Sequence, residues 1–290
     1  MIDFLKQHQI EYRQDVPLSA LTTFRIGGPA ELVILPDSED KISLLYKAFS
    51  SFFVMGNGSN LLFADHPFKT PIIKTDKLTE MRRDGDLFTF GAGVKLAAAA
   101  LFAAEQGYTG LEFAQGIPGS IGGAVYMNAG AYDGEMSGVV YATRFIDETG
   151  EVRTVYDEEH DFSYRRSCFC NTNKLITSCT VRLAPGDRDE IQSKMADFAE
   201  RRRSKQPLSF PSAGSTFKRP VGAYAAKLIE DCGLKGYQIG GAQVSEKHSG
   251  FVINRGGATF LDVMRVIGHV QKTVREQTGY ELECEVRIIE

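Results

Sequence analysis

The stretch from Gly116 to Tyr132, GIPGSIGGAVYMNAGAY, decides how the rest of the chain is interpreted. It contains five glycines and one proline but no charged side chain. Glycine lets the backbone adopt positive φ and lets another group approach the main chain closely. Backbone N–H groups are therefore the plentiful donors here, and such donors can cradle a phosphate. The apolar residues between the glycines indicate a loop packed in place; a tight buried turn between two strands is the alternative.

A second glycine cluster, GNGSN at residues 56–60, favours the nucleotide interpretation. It directly follows the apolar run Ser51 to Met55, which predicts a short buried strand. A strand that runs into a Gly/Asn/Ser turn is a common place for a nucleotide. Neither cluster matches GxxxxGK[ST], and GNGSN is not continued as GxGxxG before a helix. The two clusters therefore predict a nucleotide site that is neither a P-loop nor a standard Rossmann site.

Composition restricts the class of protein. The chain has 290 residues, 43% of them hydrophobic, which predicts two or three domains. The net charge of -4 gives no basic footprint for nucleic acid. Five cysteines, an odd number without a CxxC, argue against a disulfide framework or a metal site and for a reducing compartment. The polar N-terminus and short apolar runs predict a cytoplasmic protein without a signal peptide or a membrane partner.

Local patterns predict the elements of the first half. Residues 22–35 indicate a strand, a Gly-Gly-Pro turn and a second strand. Asp37 and Asp40 predict the start of a helix that continues to about residue 49. Residues 71–90 predict small antiparallel strands with a turn at Asp84-Gly85. An Ala-rich helix over 94–106 should follow and end at a glycine.

The second half carries clearer boundaries. Residues 175–183 predict a strand, and Asp187 predicts the cap of a helix that ends in an arginine run. The proline-rich stretch after residue 205 is the best domain boundary by composition. Thr259 and Asp262 predict the cap of the last helix, and Glu281 to Ile289 predict a closing strand.

Several motifs together resemble a known family. They are TTFRIGGPA (22–30), GNGSNLL (56–62), GIPGSIGGAVYMNAGAY (116–132), YRRS (164–167), AGSTFKRP (213–220), AAKLIEDCGLKG (225–236) and ECEVRII (283–289). In this order, over almost the whole chain, they resemble the UDP-N-acetylenolpyruvoylglucosamine reductase (MurB) family. The compact stretch between Gly236 and Asn254 is similar to the type that lacks an extra tyrosine-bearing loop.

The resemblance implies an α+β fold. It would consist of a two-part FAD-binding region of the PCMH/vanillyl-alcohol-oxidase-like type and a C-terminal α+β substrate-binding domain. Residues 1–69 plus 279–290 would form the first FAD-binding part, residues 70–204 the second, and residues 205–278 the substrate-binding domain. The boundary near residue 205 agrees with the one indicated by composition.

The resemblance also implies an activity. The chain would be an NADPH-dependent flavoenzyme that reduces the enolpyruvyl group of UDP-N-acetylglucosamine enolpyruvate to the D-lactyl ether of UDP-N-acetylmuramate, in peptidoglycan precursor synthesis. FAD would bind non-covalently, NADPH would donate hydride, and the chain would act as a monomer. Two alternatives stay open at this point: another FAD-dependent oxidoreductase on the same scaffold, and a non-catalytic module that binds flavin or a nucleotide sugar.

The residues implied to bind the cofactor lie in the two glycine-rich stretches. They would surround the FAD pyrophosphate with backbone N–H groups, and resemblance rather than spacing selects FAD among nucleotides. They are Gly56, Asn57, Gly58, Ser59, Asn60, Gly116, Ile117, Pro118, Gly119, Ser120, Gly122 and Gly123.

Three residues match the family's catalytic positions. Arg165 would hold the substrate carboxylate and the developing enolate, since a guanidinium grips a carboxylate in bidentate fashion. Ser215 would deliver a proton to carbon, and Glu285 would assist enolate formation. The implied substrate-binding residues are Tyr164, Lys205 and Arg219.

Each catalytic assignment has a structural alternative. Arg165 and Arg166 are adjacent, and either could be a surface arginine. Ser215 lies in a Ser/Gly/Pro loop, where serine is usually a turn residue. Glu285 alternates with the apolar residues of the predicted last strand, so periodicity alone predicts a solvated edge residue. The resemblance instead predicts that Glu285 faces a cleft.

Overall fold

The computed structural model describes all residues from Met1 to Glu290. Its helices are α1 (Ile2–Gln7), α2 (Glu39–Ala48), α3 (Leu96–Glu105), α4 (Ile121–Tyr126), α5 (Arg188–Lys205), α6 (Ala225–Asp231) and α7 (Phe260–Thr278). Its strands are β1 (Glu11–Pro17), β2 (Pro29–Leu35), β3 (Phe53–Met55), β4 (Leu61–Phe63), β5 (Ile72–Lys74), β6 (Met81–Asp84), β7 (Leu87–Gly91), β8 (Tyr108–Thr109), β9 (Gly130–Ala131), β10 (Gly134–Glu135), β11 (Val140–Ile146), β12 (Val152–Tyr156), β13 (Leu175–Arg182), β14 (Ala184–Pro185), β15 (Gln238–Ile239), β16 (Ala242–Val244), β17 (Val252–Asn254) and β18 (Arg287–Ile289). None of the helices is at once long enough and apolar enough to cross a membrane.

The chain divides into two compact units, each assembled from separate segments. Unit 1 comprises Met1–Gln14, Leu32–Asn57 and Thr70–Arg201. Unit 2 comprises Asp15–Glu31, Gly58–Lys69 and Arg202–Glu290. The three-part domain division expected from the resemblance stays a prediction.

Unit 1 contains two main sheets. In the first, of order β1-β2-β5-β3, the central β5 runs parallel to both β2 and β3. The second is antiparallel, of order β12-β11-β13-β7-β6. The predicted hairpin at Asp84-Gly85 is confirmed, and Gly85 has a φ of +62° that few other residues would adopt. The run at 71–74 is not part of that hairpin, because it lies between the parallel strands of the first sheet.

Packing on the second sheet follows directly from the sequence pattern. On β7, Phe88 and Phe90 alternate with the less buried Leu87 and Thr89, and both phenylalanines are fully buried. The predicted Ala-rich helix is α3, which buries one face of small side chains against the same core. Gly107 follows it with a φ of +75°, as expected for a residue that ends a helix.

Unit 2 is organised around α7. The predicted cap is confirmed: Thr259 Oγ1 accepts from the Asp262 N–H, and the Asp262 carboxylate accepts from the Thr259 N–H. The buried stripe of α7 is Val263, Val266, Ile267, Val270 and Val274. Burying each such side chain contributes about 1.5–3 kcal/mol, so packing stabilises this helix more than its cap does. The sheet β15-β16-β17 packs on α7, and β18 pairs in parallel with β4.

Three local predictions are wrong in detail. Residues 22–26 form no strand, because Arg25 has a φ of +56° and the Thr22 hydroxyl donates to the Ile26 carbonyl. The cap of α2 is Ser38, whose Oγ accepts from the Lys41 N–H, rather than Asp37. The closing strand is limited to Arg287–Ile289, because the segment before it pairs with a different partner.

Candidate functional site

The first glycine-rich turn begins where the parallel strand β3 ends. Gly56 and Asn57 follow Met55 directly. Lys74 Nζ, from the end of the neighbouring β5, donates to the Gly56 carbonyl at 2.9 Å. The Asn57 side-chain amide donates to the Pro118 carbonyl, and its oxygen accepts from Lys95 Nζ. The turn is therefore fixed by side chains from outside the motif.

The second glycine-rich stretch is fixed by backbone hydrogen bonds. The Gly119 carbonyl accepts from the Leu96 N–H at 3.0 Å, and the Gly122 N–H donates to the Ala92 carbonyl at 2.9 Å. A Cβ on Gly122 would lie 3.0 Å from the Cβ of Ala92, so a larger residue has little room. Helix α4 begins within this stretch, at Ile121, which is fully buried. The expectation of a loop packed in place is confirmed.

The two stretches of unit 1 meet at Ser120. A Cβ on Gly56 would lie only 2.5 Å from Ser120 Oγ. Ser120 is 2% exposed, and its Oγ has no hydrogen-bond partner within the protein. An unsatisfied buried hydroxyl costs about 1–3 kcal/mol, and an oxygen of a bound phosphate would remove that cost. These residues therefore fit a phosphate-bearing cofactor such as FAD.

Sequence reasoning missed Lys74 and Lys95. The glycine-rich stretches carry no Lys or Arg, so the sequence alone predicts backbone N–H groups as the main donors. The structure adds two ammonium groups next to Gly56 and Asn57. Burial lowers the pKa of Lys74, and the carboxylate of Asp76 at 3.2 Å opposes that shift. A signal existed for Lys74: it ends an apolar strand whose carboxyl end lies beside that of β3.

The rest of the GNGSN motif belongs to unit 2. The Gly58 carbonyl accepts from the Thr23 N–H at 3.2 Å. The Asn60 side-chain amide donates to the Glu285 carbonyl at 3.0 Å, and the Asn60 carbonyl accepts from the Arg287 N–H. Asn60 thus positions the backbone on both sides of Val286. The cofactor role of Gly58, Ser59 and Asn60 stays a prediction.

Tyr164 and Arg165 form the tip of a tight turn in unit 1. Ser163 and Arg166 exchange two backbone hydrogen bonds of 3.1 Å across it. Arg165 has a φ of +57°, which is uncommon for a residue other than glycine and marks a conformation held by its surroundings. Its guanidinium lies 4.9 Å from the centre of the Tyr164 ring. Arg166 is a largely exposed side chain near Asp161, whereas Arg165 is half-buried; the catalytic role of Arg165 stays a prediction.

Ser215 and Glu285 come together in unit 2. The Glu285 N–H donates to the carbonyl of Thr216, the residue after Ser215, at 2.8 Å. Phe217 pairs with Cys284 in the same short antiparallel contact. Ser215 is exposed, and Glu285 is partly buried whereas the Glu283 side chain is 73% exposed. The environment of Glu285 is thus more enclosed than periodicity alone predicts.

The predicted substrate-binding residues of unit 2 lie at separate places. Lys205 is the last residue of α5 and is exposed. Arg219 lies four residues after Ser215, with its guanidinium 4.1 Å from the centre of the Tyr224 ring. Tyr224 is itself 62% exposed at the start of α6, a feature that sequence reasoning missed. Both binding roles stay predictions.

Two family models match the chain. A model described as UDP-N-acetylenolpyruvoylglucosamine reductase, C-terminal domain, matches residues 206–289. A model described as FAD binding domain matches residues 30–156. FAD as the cofactor and an α+β fold with an FAD-binding region, both expected from the sequence, are confirmed by these matches.

Relatives match over nearly their whole length. A UDP-N-acetylenolpyruvoylglucosamine reductase from Clostridium perfringens is 48% identical over 279 residues, covering 95% of this chain and 92% of the relative. One from Caldanaerobacter subterraneus subsp. tengcongensis is 45% identical, covering 94% of this chain and 92% of the relative. The crystal structure of UDP-N-acetylenolpyruvylglucosamine reductase (MurB) from Thermus caldophilus superposes with a TM-score of 0.84 at 31% identity, covering 97% of this chain and 99% of that chain. The chain therefore belongs to the UDP-N-acetylenolpyruvoylglucosamine reductase family, whose members are FAD-dependent oxidoreductases.

Proposed function

We propose that the chain uses NADPH to reduce the enolpyruvyl group of UDP-N-acetylglucosamine enolpyruvate to the D-lactyl ether of UDP-N-acetylmuramate. The observation that carries this substrate is the backbone pairing in unit 2, in which the N–H of the carboxyl-bearing Glu285 donates to the carbonyl of Thr216, the residue directly after the hydroxyl-bearing Ser215. Reducing an enol ether of pyruvate requires both a proton source for carbon and a group that assists enolate formation. Bound FAD supplies the hydride chemistry.

Arg165 holds the substrate carboxylate and the negative charge that develops on it. A guanidinium binds a carboxylate through two parallel N–H···O bonds, and it stays protonated throughout the reaction. Its conformation supports this role, since the backbone of the turn is already fixed and need not be ordered when substrate binds. Tyr164, in the same turn, lines the place where substrate and nicotinamide bind in succession.

Ser215 and Glu285 complete the chemistry on the substrate. Hydride addition to the enolpyruvyl double bond creates an enolate, which Ser215 quenches by giving its hydroxyl proton to carbon. Glu285 assists enolate formation on the carboxylate side. Lys205 and Arg219 bind the UDP moiety, and an exposed arginine stacked on Tyr224 suits a planar, anionic nucleotide.

The cofactor loops hold the FAD pyrophosphate. Ser120, with its buried unpartnered hydroxyl, is the first residue assigned to it in unit 1. The remaining residues of the assignment are Gly56, Asn57, Gly58, Ser59, Asn60, Gly116, Ile117, Pro118, Gly119, Gly122 and Gly123. We propose the division into residues 1–69 plus 279–290, 70–204 and 205–278; its boundary near residue 205 is supported by a C-terminal family match that starts at residue 206. We propose that the chain acts in the cytoplasm, where five free cysteines stay reduced, and that it acts as a monomer.

The test is an anaerobic absorbance titration of the flavin-loaded chain. NADPH should bleach the flavin band, and UDP-N-acetylglucosamine enolpyruvate should restore it. A band that bleaches but is not restored by the sugar identifies another oxidoreductase on this scaffold. A band that NADPH does not bleach identifies a non-catalytic module.

A matched pair of variants tests the arginine assignment. Arg165→Gln should abolish restoration of the band by the sugar, because the neutral amide cannot balance the enolate charge. Arg166→Gln, the neighbouring charge loss, should leave it within about two-fold of wild type. Equal losses in both variants would remove the special role of Arg165.

A further inference from the structure

Lys74 is a buried cation directly behind the first cofactor loop. It is 5% exposed, at the end of β5, and lies beside Met55 in the parallel pairing of β5 with β3. Its Nζ donates to the Gly56 carbonyl at 2.9 Å and lies 3.2 Å from an Asp76 carboxylate oxygen. A buried lysine is costly unless its charge is used. Nothing in the mechanism derived above uses it.

The contact with Gly56 fixes the orientation of a peptide. In a trans peptide the C=O and N–H groups point in opposite directions, and the chain contains no cis peptide bond. Since Lys74 holds the Gly56 carbonyl, the Asn57 N–H points away from Lys74. The same peptide is held from its other end, because the Asn57 side chain bridges Pro118 and Lys95. One backbone donor of the loop is thus locked in direction.

The charges around this peptide do not cancel. Lys74 and Lys95 are both cations; burial is the main cause that lowers the pKa of Lys74, and the positive charge of Lys95 adds a smaller part. The Asp76 carboxylate is the counter-charge of Lys74. The buried, unpartnered Ser120 Oγ lies on the Gly56 side of the loop. The two lysines and Asp76 together leave one excess positive charge. A doubly charged pyrophosphate placed there would interact with this charge and could accept a hydrogen bond from the Ser120 hydroxyl.

We propose that Lys74 is a positioning residue for the FAD pyrophosphate: it orients the Gly56–Asn57 peptide and, together with Lys95, supplies the positive charge that the glycine-rich loops lack. This inference rests on the proposed placement of the pyrophosphate at Gly56, Asn57 and Ser120. Lys74 acts through the loop, whereas Lys95, which is exposed, acts beside it. Asp76 weakens the field, so its removal should strengthen binding.

The experiment measures the affinity of the flavin-free chain for FAD and for riboflavin, which lacks phosphate, by flavin fluorescence. Lys74→Met keeps the side-chain volume and removes the charge, and it should weaken FAD binding about 10–100-fold, the worth of one charge-assisted hydrogen bond. Riboflavin binding should change by less than about three-fold. Lys95→Met should weaken FAD binding about 3–10-fold and reduce its salt dependence.

Asp76→Asn separates electrostatics from scaffolding. It keeps the shape and a hydrogen-bond acceptor but removes the negative charge, so it should tighten FAD binding about 2–5-fold. If Lys74 and Asp76 serve only as a structural ion pair, Lys74→Met and Asp76→Asn should both weaken FAD and riboflavin alike, and that result overturns the proposal. The control is Lys47→Met, a charge loss on α2 where the partner is Glu151.

The outcomes also separate this proposal from the placement on which it depends. If Ser120→Ala and Gly56→Ala leave the affinity for FAD at the wild-type value, the pyrophosphate lies elsewhere and the proposed function of the loops fails. If those variants weaken FAD binding but Lys95→Met and Asp76→Asn do not act in opposite directions, the loops hold FAD and the lysine proposal fails. Lys95 and Asp76 are both accessible to solvent, so their substitution should not prevent folding. These two variants therefore test the proposal even if Lys74→Met does not fold.

Discussion

The glycine-rich loops of unit 1 and the Ser215–Glu285 pairing of unit 2 use the polypeptide in opposite ways. In the loops, small residues bring backbone close to backbone, and side chains from outside the motif, such as Lys74, hold the turn. In the pairing, a backbone hydrogen bond joins Glu285 to Thr216 and fixes the main chain, which leaves the side chains of Ser215 and Glu285 as the functional groups. A loop of the first kind suits binding of a large anion, and a frame of the second kind suits proton transfer.

This difference predicts that substitutions in the two regions change different quantities. In the pairing of unit 2, removal of a functional group should leave the fold and the flavin in place and lower the rate. In the loops of unit 1, addition of a single carbon should lower cofactor affinity, because the space is defined by absent side chains. Measurement of both the reoxidation rate and the FAD affinity for each variant shows whether the two regions control different quantities.

Among substitutions in these two regions, the largest effect is expected for Ser215→Ala. Loss of the proton donor should slow substrate-dependent reoxidation of the flavin about 10³-fold, within the range for general acid–base groups. Flavin reduction by NADPH and FAD affinity should stay at wild-type values. Anaerobic stopped-flow absorbance measures both half-reactions separately. Ser212→Ala, in the same loop, serves as the control; an equal loss in this variant would mean that the loop, and not the Ser215 hydroxyl, is what matters.

Glu285→Gln should produce the next largest effect. The amide keeps the size of the side chain and the backbone bond to Thr216, so any loss reflects the carboxylate. We expect reoxidation to slow about 10²-fold, at the lower end of the range for such groups. Glu283→Gln is the matched control, two residues earlier on the same segment and paired with Lys218 at the surface. If flavin reoxidation is equally fast in the two variants, Glu285 has no catalytic role and is the solvated edge residue that periodicity predicts.

Gly56→Ala probes the loops with the smallest change available. The added methyl group would lie 2.5 Å from Ser120 Oγ, and such overpacking costs about 1–3 kcal/mol. FAD affinity should therefore fall about 10-fold, whereas the rate of the flavin-saturated protein should change little. The partner experiment is a double-mutant cycle with Ser120→Ala, which removes the clashing atom. Gly56→Ala should cost little in that background, and an equal cost in both backgrounds would exclude Ser120 Oγ as the atom that clashes.

The loops and the pairing also differ in how far sequence alone could predict them. Helix α7, its cap and the Asp84-Gly85 hairpin follow from local rules, because the residues that fix them are neighbours in the chain. The packing of Ile121 between glycines could likewise be predicted. The positions of Lys74 and Lys95 could not, since a lysine contributes to a loop elsewhere only through the pairing of strands far apart in sequence.

The pairing of unit 2 likewise depends on contacts between residues far apart in the chain, which sequence alone does not predict. The pattern of residues 281–289 predicts one strand, but its first part pairs with residues 216–218 and its last part with β4. Periodicity describes which side chains are buried and does not identify the partner. The roles of Arg165, Ser215 and Glu285 come from family resemblance, and the structure adds the positive φ of Arg165 and the partial burial of Glu285.

The smallest effect is expected from the scaffold of unit 2. Thr259→Ala removes the side-chain cap of α7 and should lower the free energy of unfolding by about 1 kcal/mol. Reoxidation rate and FAD affinity should not change, because the hydrogen bonds of the cap join Thr259 to Asp262 and involve no residue assigned to catalysis or to the cofactor. Thermal unfolding followed by circular dichroism measures the loss, with Thr273→Ala, inside the same helix, as the control. A changed rate in Thr259→Ala would mean that the pairing depends on the scaffold more than its own hydrogen bonds indicate.

The stabilisation of the fold by the Asp262 carboxylate should depend on pH in a definite direction. Hydrogen bonds from Thr259 lower the pKa of the Asp262 carboxyl, so the folded state binds that proton less readily than the unfolded chain. The stabilisation by Asp262 is therefore fully present above the ordinary pKa of an aspartate and is lost as the pH falls through the lower folded value. The difference in unfolding free energy between wild type and Asp262→Ala should narrow over that acid range. A difference that stays constant would mean that the Asp262 side chain stabilises the helix through its shape and not through its charge.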